Sequence, residues 1–145
     1  MTMTEKNRIV VGVDGSPSSI NALRWAVRQA ELTGAEIEAV TVWSYPAGYG
    51  LAPVSDGAAD LEGDAGKALF EALAEVSGIA PDVVIEPLVV QGHAADALVR
   101  EAKDAGLLVV GSRGHGGFAG MLLGSVSQHC VQHARCPVLV VRDGR

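Results

Sequence analysis

Five aliphatic runs alternate with segments of helical periodicity along this chain, and this alternation limits the possible folds more than any other feature. The runs are rich in Val, Leu and Ile, as are strands that are buried on both faces of a sheet. They are Arg8–Val13, Glu36–Trp43, Val83–Val90, Leu107–Val110 and Val138–Val141. Strands that alternate with helices predict a parallel sheet with right-handed crossovers. We therefore expect an α/β fold with a doubly wound five-stranded parallel sheet and helices on both faces.

The intervening segments carry signals for helix ends. Ser16 and Pro17 fit the N-cap and the first position of a helix, and Gly34 fits its C-terminal stop. Residues 44–57 contain two prolines and three glycines, and a loop of this length favours a functional segment. Further helices are predicted over Leu61–Val76, over Ala94–Lys103 and from about Ser125 to Ala134.

The strand order follows from one proline and one glycine-rich loop. Pro87 lies inside the third run and cannot donate a ladder hydrogen bond, so the third strand is expected at a sheet edge. If strands one and four are neighbours, the order is 3-2-1-4-5. The chain shows no repeat, low-complexity segment or linker, so residues 1–145 are expected to form a single domain.

Composition excludes several classes of protein. Of the 145 residues, 48% are apolar and 19% are charged, which predicts a packed core. The net charge is −6 and there are three lysines, so no footprint for nucleic acid or anionic membranes is expected. No run approaches the roughly 18 apolar residues of a membrane span. The polar N-terminus carries no secretory signal, so we expect a cytoplasmic protein.

A glycine-rich loop from Gly111 to Ser125 follows the fourth strand and leads into the fourth helix. Glycines let backbone N–H groups approach a phosphate, and a helix N-terminus favours negative charge. The arrangement predicts a site for a phosphate-containing ligand; the alternative is a turn whose glycines serve close packing. A Walker A motif is absent because no Gly-Lys-Ser/Thr follows. The position after strand four disfavours a dinucleotide fold.

Asp14 follows strand one in the same strand-to-helix position. Ligands of open parallel sheets bind outside the carboxyl ends of strands, where the strand order reverses. Asp14 is therefore expected to face the glycine-rich loop, where it would meet a ribose hydroxyl or a phosphate-bound Mg²⁺. The alternative is that Asp14 is a turn residue before the Ser16 cap.

Other polar residues have competing interpretations. Ser125-Val126-Ser127-Gln128 fits a capping box, so the Ser125 hydroxyl either satisfies a helix N–H or contacts phosphate. Arg113 and His115, inside the loop, are either phosphate contacts or solvent-exposed side chains. His129 and His133 have i, i+4 spacing that suits zinc, but no Glu lies between them, so no metal site is predicted there.

These motifs resemble the universal stress protein family over essentially the whole chain. The family's ATP-binding signature is Gly, two residues, Gly, nine residues, then Gly-Ser or Gly-Thr; Gly111, Gly114, Gly124 and Ser125 match it. The opening VVGVDGS and the closing CPVLVVR are also similar. The resemblance implies ATP or a related adenine nucleotide, with Mg²⁺ or Mn²⁺. The contact residues that it implies are Gly12, Asp14, Val42, Gly111, Ser112, Arg113, Gly114, Gly124, Ser125, Val126 and Ser127.

Strand five predicts a partner. Val138, Leu139, Val140 and Val141 are apolar on both faces, yet they would form an uncovered edge, which is a liability. Proteins of the resembled family dimerise through this strand, so a homodimer is expected.

The sequence favours a binding protein over an enzyme. It offers no nucleophile–base pair and no acidic strand end of the Walker B type. The leading hypothesis is an ATP-binding stress-response or regulatory protein with at most slow ATP hydrolysis. The alternatives are an ATPase or phosphoryl-transfer enzyme, a cyclic-AMP-binding protein, and a ligand-free dimeric interaction module.

Overall fold

Strands and helices alternate through the described part of the chain. The structure is a computed structural model that describes residues 7–44, 55–113 and 124–142, and only the backbone of residues 55–59. Its elements are β1 (Arg8–Gly12), α1 (Pro17–Thr33), β2 (Glu36–Trp43), α2 (Ser55–Val76), β3 (Ile85–Gln91), α3 (Ala94–Glu101), β4 (Leu107–Gly111), α4 (Ser125–His133) and β5 (Val138–Val141).

The strands form one parallel sheet in the order β3-β2-β1-β4-β5, which confirms the predicted topology. In β1, Val10 lies opposite Glu38 of β2 on one side and opposite Leu108 of β4 on the other. Pro87 lies in the edge strand β3, opposite Ala39, so its missing N–H leaves no gap inside the sheet.

Two apolar cores cover the two faces of the sheet. Ile9 and Val11 of β1 pack with α1 and α2, whereas Val10, between them, packs with the core that includes α3 and α4. Successive strand residues point to opposite faces, so one short run of β1 supplies both cores. Helices on both faces confirm the doubly wound arrangement. Helix α1 and helix α4 therefore leave neighbouring strands toward opposite faces.

Helix α1 begins and ends where its sequence predicts. The Ser16 hydroxyl accepts a hydrogen bond from the N–H of Ser19 at 3.2 Å, which is an N-cap contact. Gly34 ends the helix with φ of 77°, and its N–H donates to Ala30 O at 2.8 Å. This left-handed conformation favours glycine.

Helix α2 begins at Ser55, earlier than the predicted Leu61, so the loop expected over residues 44–57 ends sooner. Residues 55–60 carry no apolar face, but Ala58 and Ala59 have high helix propensity. The apolar period therefore marks only the part of the helix that follows this polar start. Residues 45–54 lie outside the described part of the chain.

The other boundaries differ by one or two residues. β3 begins at Ile85 rather than Val83, because the N–H of Val83 bonds to Ala80 O at 3.0 Å in a turn. α3 ends at Glu101 rather than Lys103, whose N–H makes a tighter i−3 contact with Arg100 O at 3.3 Å. β1 ends one residue before the predicted Val13, β4 extends one residue further, to Gly111, and α4 ends at His133.

Candidate functional site

The strand order reverses between β1 and β4, and the candidate site lies at the carboxyl ends of these two strands. They are hydrogen-bonded neighbours, and each leads toward a helix on a different face of the sheet. This is the position where open parallel sheets bind ligands. The fold thus brings Gly12 and Asp14, at the end of β1, to the same edge as Gly111 and Ser112, at the end of β4.

Asp14 forms a local turn at this edge. Its carboxylate Oδ1 accepts a hydrogen bond from the N–H of Ser16 at 2.9 Å, and its own N–H donates to the Ser19 hydroxyl at 3.2 Å. Gly15, between Asp14 and Ser16, has φ of 82°, the conformation that such a turn requires. The turn interpretation of Asp14 is thus correct. The carboxylate is also exposed at the strand end, so a ligand contact remains a prediction.

Gly111 lies against the first turn of α1. A Cβ atom at this position would lie 2.7 Å from the carbonyl carbon of Ser18 and 2.8 Å from its oxygen. Both are backbone atoms, so they cannot move aside without moving the helix. The absence of a side chain at Gly111 therefore permits the close packing of α1 on β4, as the packing interpretation of the glycines expects.

A side chain at Gly12 would also meet a close neighbour, but one that can move aside more easily. A Cβ atom there would lie 2.8 Å from Cδ1 of Leu98, which is the far end of a flexible side chain on α3. Gly111 and Gly12, the last residues of β4 and β1, thus help two helices pack on opposite faces of the sheet. Whether either glycine also touches a ligand remains a prediction.

Hydrogen bonds hold both described ends of the glycine-rich loop. The N–H of Arg113 donates to the Ser18 hydroxyl at 3.3 Å, and the carbonyl of Ser112 accepts from the N–H of Gly124 at 2.6 Å. The contact of Arg113 with Ser18 is not predictable from the sequence, because a serine beside a helix cap carries no separate signal. Gly114 and His115 lie outside the described residues, as does the rest of the segment 114–123.

Among the described residues, no side chain caps the N-terminus of α4. Gly124 is the N-cap residue, with φ of −73° and ψ of 167°, and Ser125 is the first helical residue. The alternative interpretation, in which Ser125 caps this helix, is therefore wrong. The first turn carries no acidic residue, and its N–H groups have no partner within the helix. Such a terminus attracts anions, whereas the Ser16 hydroxyl already caps α1.

The other predicted contact residues lie in the first turn of α4 or at the nearby strand ends. Ser125 is exposed, Val126 is half-buried, and Ser127 is buried. The side chain of Arg113 is exposed at the end of β4. Val42 lies near the carboxyl end of β2, beside β1, and packs partly buried in the core with α3 and α4. All the described predicted residues thus lie at or just after the carboxyl ends of β1, β2 and β4, or in the first turn of α4 and its N-cap.

His129 connects the two helices on one face. Its Nε2 lies 3.1 Å from Oδ1 of Asp96 on α3, and its ring centroid lies 4.4 Å from that of His133. Within residues 7–44, 55–113 and 124–142, no group of three or more His, Cys, Asp or Glu side chains is arranged to hold a metal. The contact with Asp96, which the sequence did not predict, gives His129 a role between helices.

Both cysteines are free thiols on the face of α3 and α4. Burial, together with a smaller effect of the neighbouring Cys136, raises the pKa of Cys130 to about 11. Burial also raises the pKa of Cys136. A thiol with a raised pKa is protonated at neutral pH and is a weak nucleophile or metal ligand. Neither cysteine is therefore a candidate for catalysis.

Among the described residues, no helix combines the length and the apolar character that a membrane span requires.

Known proteins are similar to this chain in sequence and in fold. The model of the universal stress protein family matches residues 6–142. A universal stress protein of Mycolicibacterium smegmatis is 41% identical over 135 residues, which are 92% of this chain and 45% of that protein. The chain thus spans less than half the length of the curated relatives it matches. A crystal structure of a universal stress protein in complex with cAMP is 32% identical, with a TM-score of 0.69 over 97% of this chain and 98% of that one. UspA from Lactobacillus plantarum, 22% identical, has the same fold, with a TM-score of 0.80 over 97% of this chain and 100% of its own. The chain belongs to the universal stress protein family.

Proposed function

We propose that this chain binds an adenine nucleotide, with its phosphates at the N-terminus of α4, and that it serves as a stress-response or regulatory protein. The observation that carries the proposal is the start of α4, which no described side chain caps, beside the carboxyl ends of β1 and β4. A related protein, 32% identical, holds cAMP in its crystal structure, which supports an adenine nucleotide as the class of ligand.

The residues at this edge suit a nucleotide phosphate. Gly124 places no side chain over the first turn of α4, and that turn has no acidic residue to repel an anion. Ser125 is exposed there and offers a hydroxyl. With ATP, Mg²⁺ or Mn²⁺ would neutralise phosphate charge, and the exposed carboxylate of Asp14 is the oxygen ligand that would help to hold it.

Titration calorimetry with ATP and Mg²⁺ tests this proposal. We expect a dissociation constant for ATP below one millimolar, which corresponds to a binding free energy more favourable than about −4.1 kcal/mol. We also expect ATP and cyclic AMP to compete for one site. Cyclic AMP is the second candidate because the related crystal structure contains it. If ATP displaces cyclic AMP at equal concentration, ATP is the better ligand. If cyclic AMP displaces ATP instead, the chain is a cyclic-nucleotide-binding protein. No affinity for either nucleotide would exclude the proposed function and favour a ligand-free interaction module.

Hydrolysis is proposed to be slow at most. A general base must hold an attacking water within hydrogen-bond reach. Asp14 is the carboxylate that the sequence places beside the loop, and its Oδ1 already accepts from the N–H of Ser16 at 2.9 Å. ATP turnover well above background that is lost in Asp14→Ala would instead identify an ATPase or a phosphoryl-transfer enzyme.

A homodimer through β5 is also proposed. β5 is an edge strand, and Val138, Leu139, Val140 and Val141 are all only partly buried. Pairing with the same strand of a second copy would remove this apolar edge from water. Light scattering at micromolar concentration is expected to give twice the mass of the chain. A monomer mass would contradict the interface.

The free thiols agree with a reducing compartment, and we propose that the protein is cytoplasmic.

A further inference from the structure

The hydroxyl of Ser127 connects the end of β4 to the start of α4. Its Oγ lies 3.0 Å from Gly124 O and 3.3 Å from Ser112 O, so one proton is shared between two carbonyl acceptors. The same Ser112 carbonyl accepts the N–H of Gly124 at 2.6 Å. Ser127 is 2% exposed. These three residues, Ser112, Gly124 and Ser127, are called the loop clamp below.

The loop clamp is fixed to the sheet. The N–H of Ser112 donates to Val141 O of β5 at 2.9 Å, and Ser112 is buried. The position of Ser112 is therefore set by the strand ladder rather than by the loop that follows it. Through the clamp, the N-cap of α4 takes its position from the β4–β5 edge of the sheet.

We propose that Ser127 is a positioning residue of the nucleotide site. Its hydroxyl holds Gly124 and the first turn of α4 in place relative to β4, and it does not touch the ligand itself. The proton of the buried hydroxyl already serves two backbone carbonyls, so it is not available to a phosphate oxygen. This inference rests on the proposed function, because it assigns to Ser127 the placement of the N–H groups that would bind phosphate.

Ser127→Ala tests the role of the hydroxyl, with Ser77→Ala as the matched control. The Ser77 hydroxyl, in the residue that follows α2, donates to Ala74 O at 3.0 Å, a contact with the same i−3 spacing, but it lies far along the chain from the clamp. We expect Ser127→Ala to weaken ATP binding about tenfold, and Ser77→Ala to leave it unchanged. Ser127→Thr keeps the hydroxyl and is expected to restore at least half of the lost binding free energy.

The affinity is measured by calorimetry well below the unfolding temperature, so that a purely structural loss does not lower it. A lower unfolding temperature with an unchanged ATP dissociation constant would show that Ser127 serves stability alone and would overturn the inference.

Amide hydrogen exchange of Gly124 in the nucleotide-free protein separates this inference from the proposed function. We expect exchange at Gly124 to be about tenfold faster in Ser127→Ala than in Ser77→Ala, because the clamp loses one of its donors. Unchanged exchange would overturn the clamp whether or not nucleotide binds. If exchange accelerates but the wild-type protein binds neither ATP nor cyclic AMP, the clamp exists and the proposed function is what fails, together with the role of Ser127 in it.

Discussion

Gly124→Asp is expected to bind ATP at least about tenfold more weakly than Gly124→Asn. Gly124 is the N-cap of α4, and both replacements are favourable N-cap residues with nearly the same shape. They differ in one negative charge, which aspartate would place beside the N–H groups proposed to receive phosphate. Like charges a few Å apart at a partly desolvated site repel by more than 1 kcal/mol. The dissociation constants are compared by calorimetry at fixed ionic strength.

The asparagine variant is the control for this experiment. Gly124 is buried, so a side chain there has a steric effect, which both variants share. Unfolding midpoints in urea should therefore be similar for the two proteins. Higher salt should reduce the difference between the ATP dissociation constants of the two variants, because ions screen the repulsion between aspartate and phosphate. Equal ATP affinities for the two variants would show that the phosphates lie elsewhere, and would contradict a site at the start of α4.

Gly111→Ala is expected to reduce the free energy of unfolding by about 1–3 kcal/mol. The new Cβ would lie 2.7 Å and 2.8 Å from the backbone carbon and oxygen of Ser18. Helix α1 would have to move away from β4, and its packing on the sheet would suffer. Urea denaturation, followed by circular dichroism without nucleotide, measures this loss.

Gly66→Ala is the matched control for Gly111→Ala. Gly66 lies in α2, and nothing lies within 4 Å of an added Cβ. Alanine is favoured over glycine inside a helix, so this variant should be more stable than the wild type by about 0.5–1 kcal/mol. If Gly111→Ala proved as stable as Gly66→Ala, the close approach of α1 to β4 would be refuted.

The fold was predictable because its signals are local. Continuous aliphatic runs indicate strands that are buried on both faces, and Pro87 limits β3 to an edge. These observations, with the glycine-rich loop after strand four, were enough for the order that the structure confirms. The start of α2 was not predictable from periodicity, because residues 55–60 form helix without an apolar face.

The place of the candidate residues in the fold was predictable, but their contacts with one another were not. The resemblance directed attention to Gly111, Gly124 and Ser125, which the fold places at one edge of the sheet. The capping box at Ser125 was wrong because the pattern fixes a helix start only to within a residue, and here Gly124 is the cap. The contacts of Ser18 with Arg113, and of Ser127 with Ser112, join distant segments and carry no local signature.

The packing of Ser18 against Gly111 has a consequence for how glycine signatures are used across a protein family. A glycine that is required where a helix crosses a strand is under selection in every descendant that keeps the fold, including descendants that have abandoned their ligand. The first glycine of this motif should therefore diverge more slowly than a residue that serves binding alone. If phosphate binds at the start of α4 as proposed, Gly124 and Ser125 are the more informative positions for assigning nucleotide binding to newly sequenced homologues, since the Gly111 position would be retained by binders and non-binders alike.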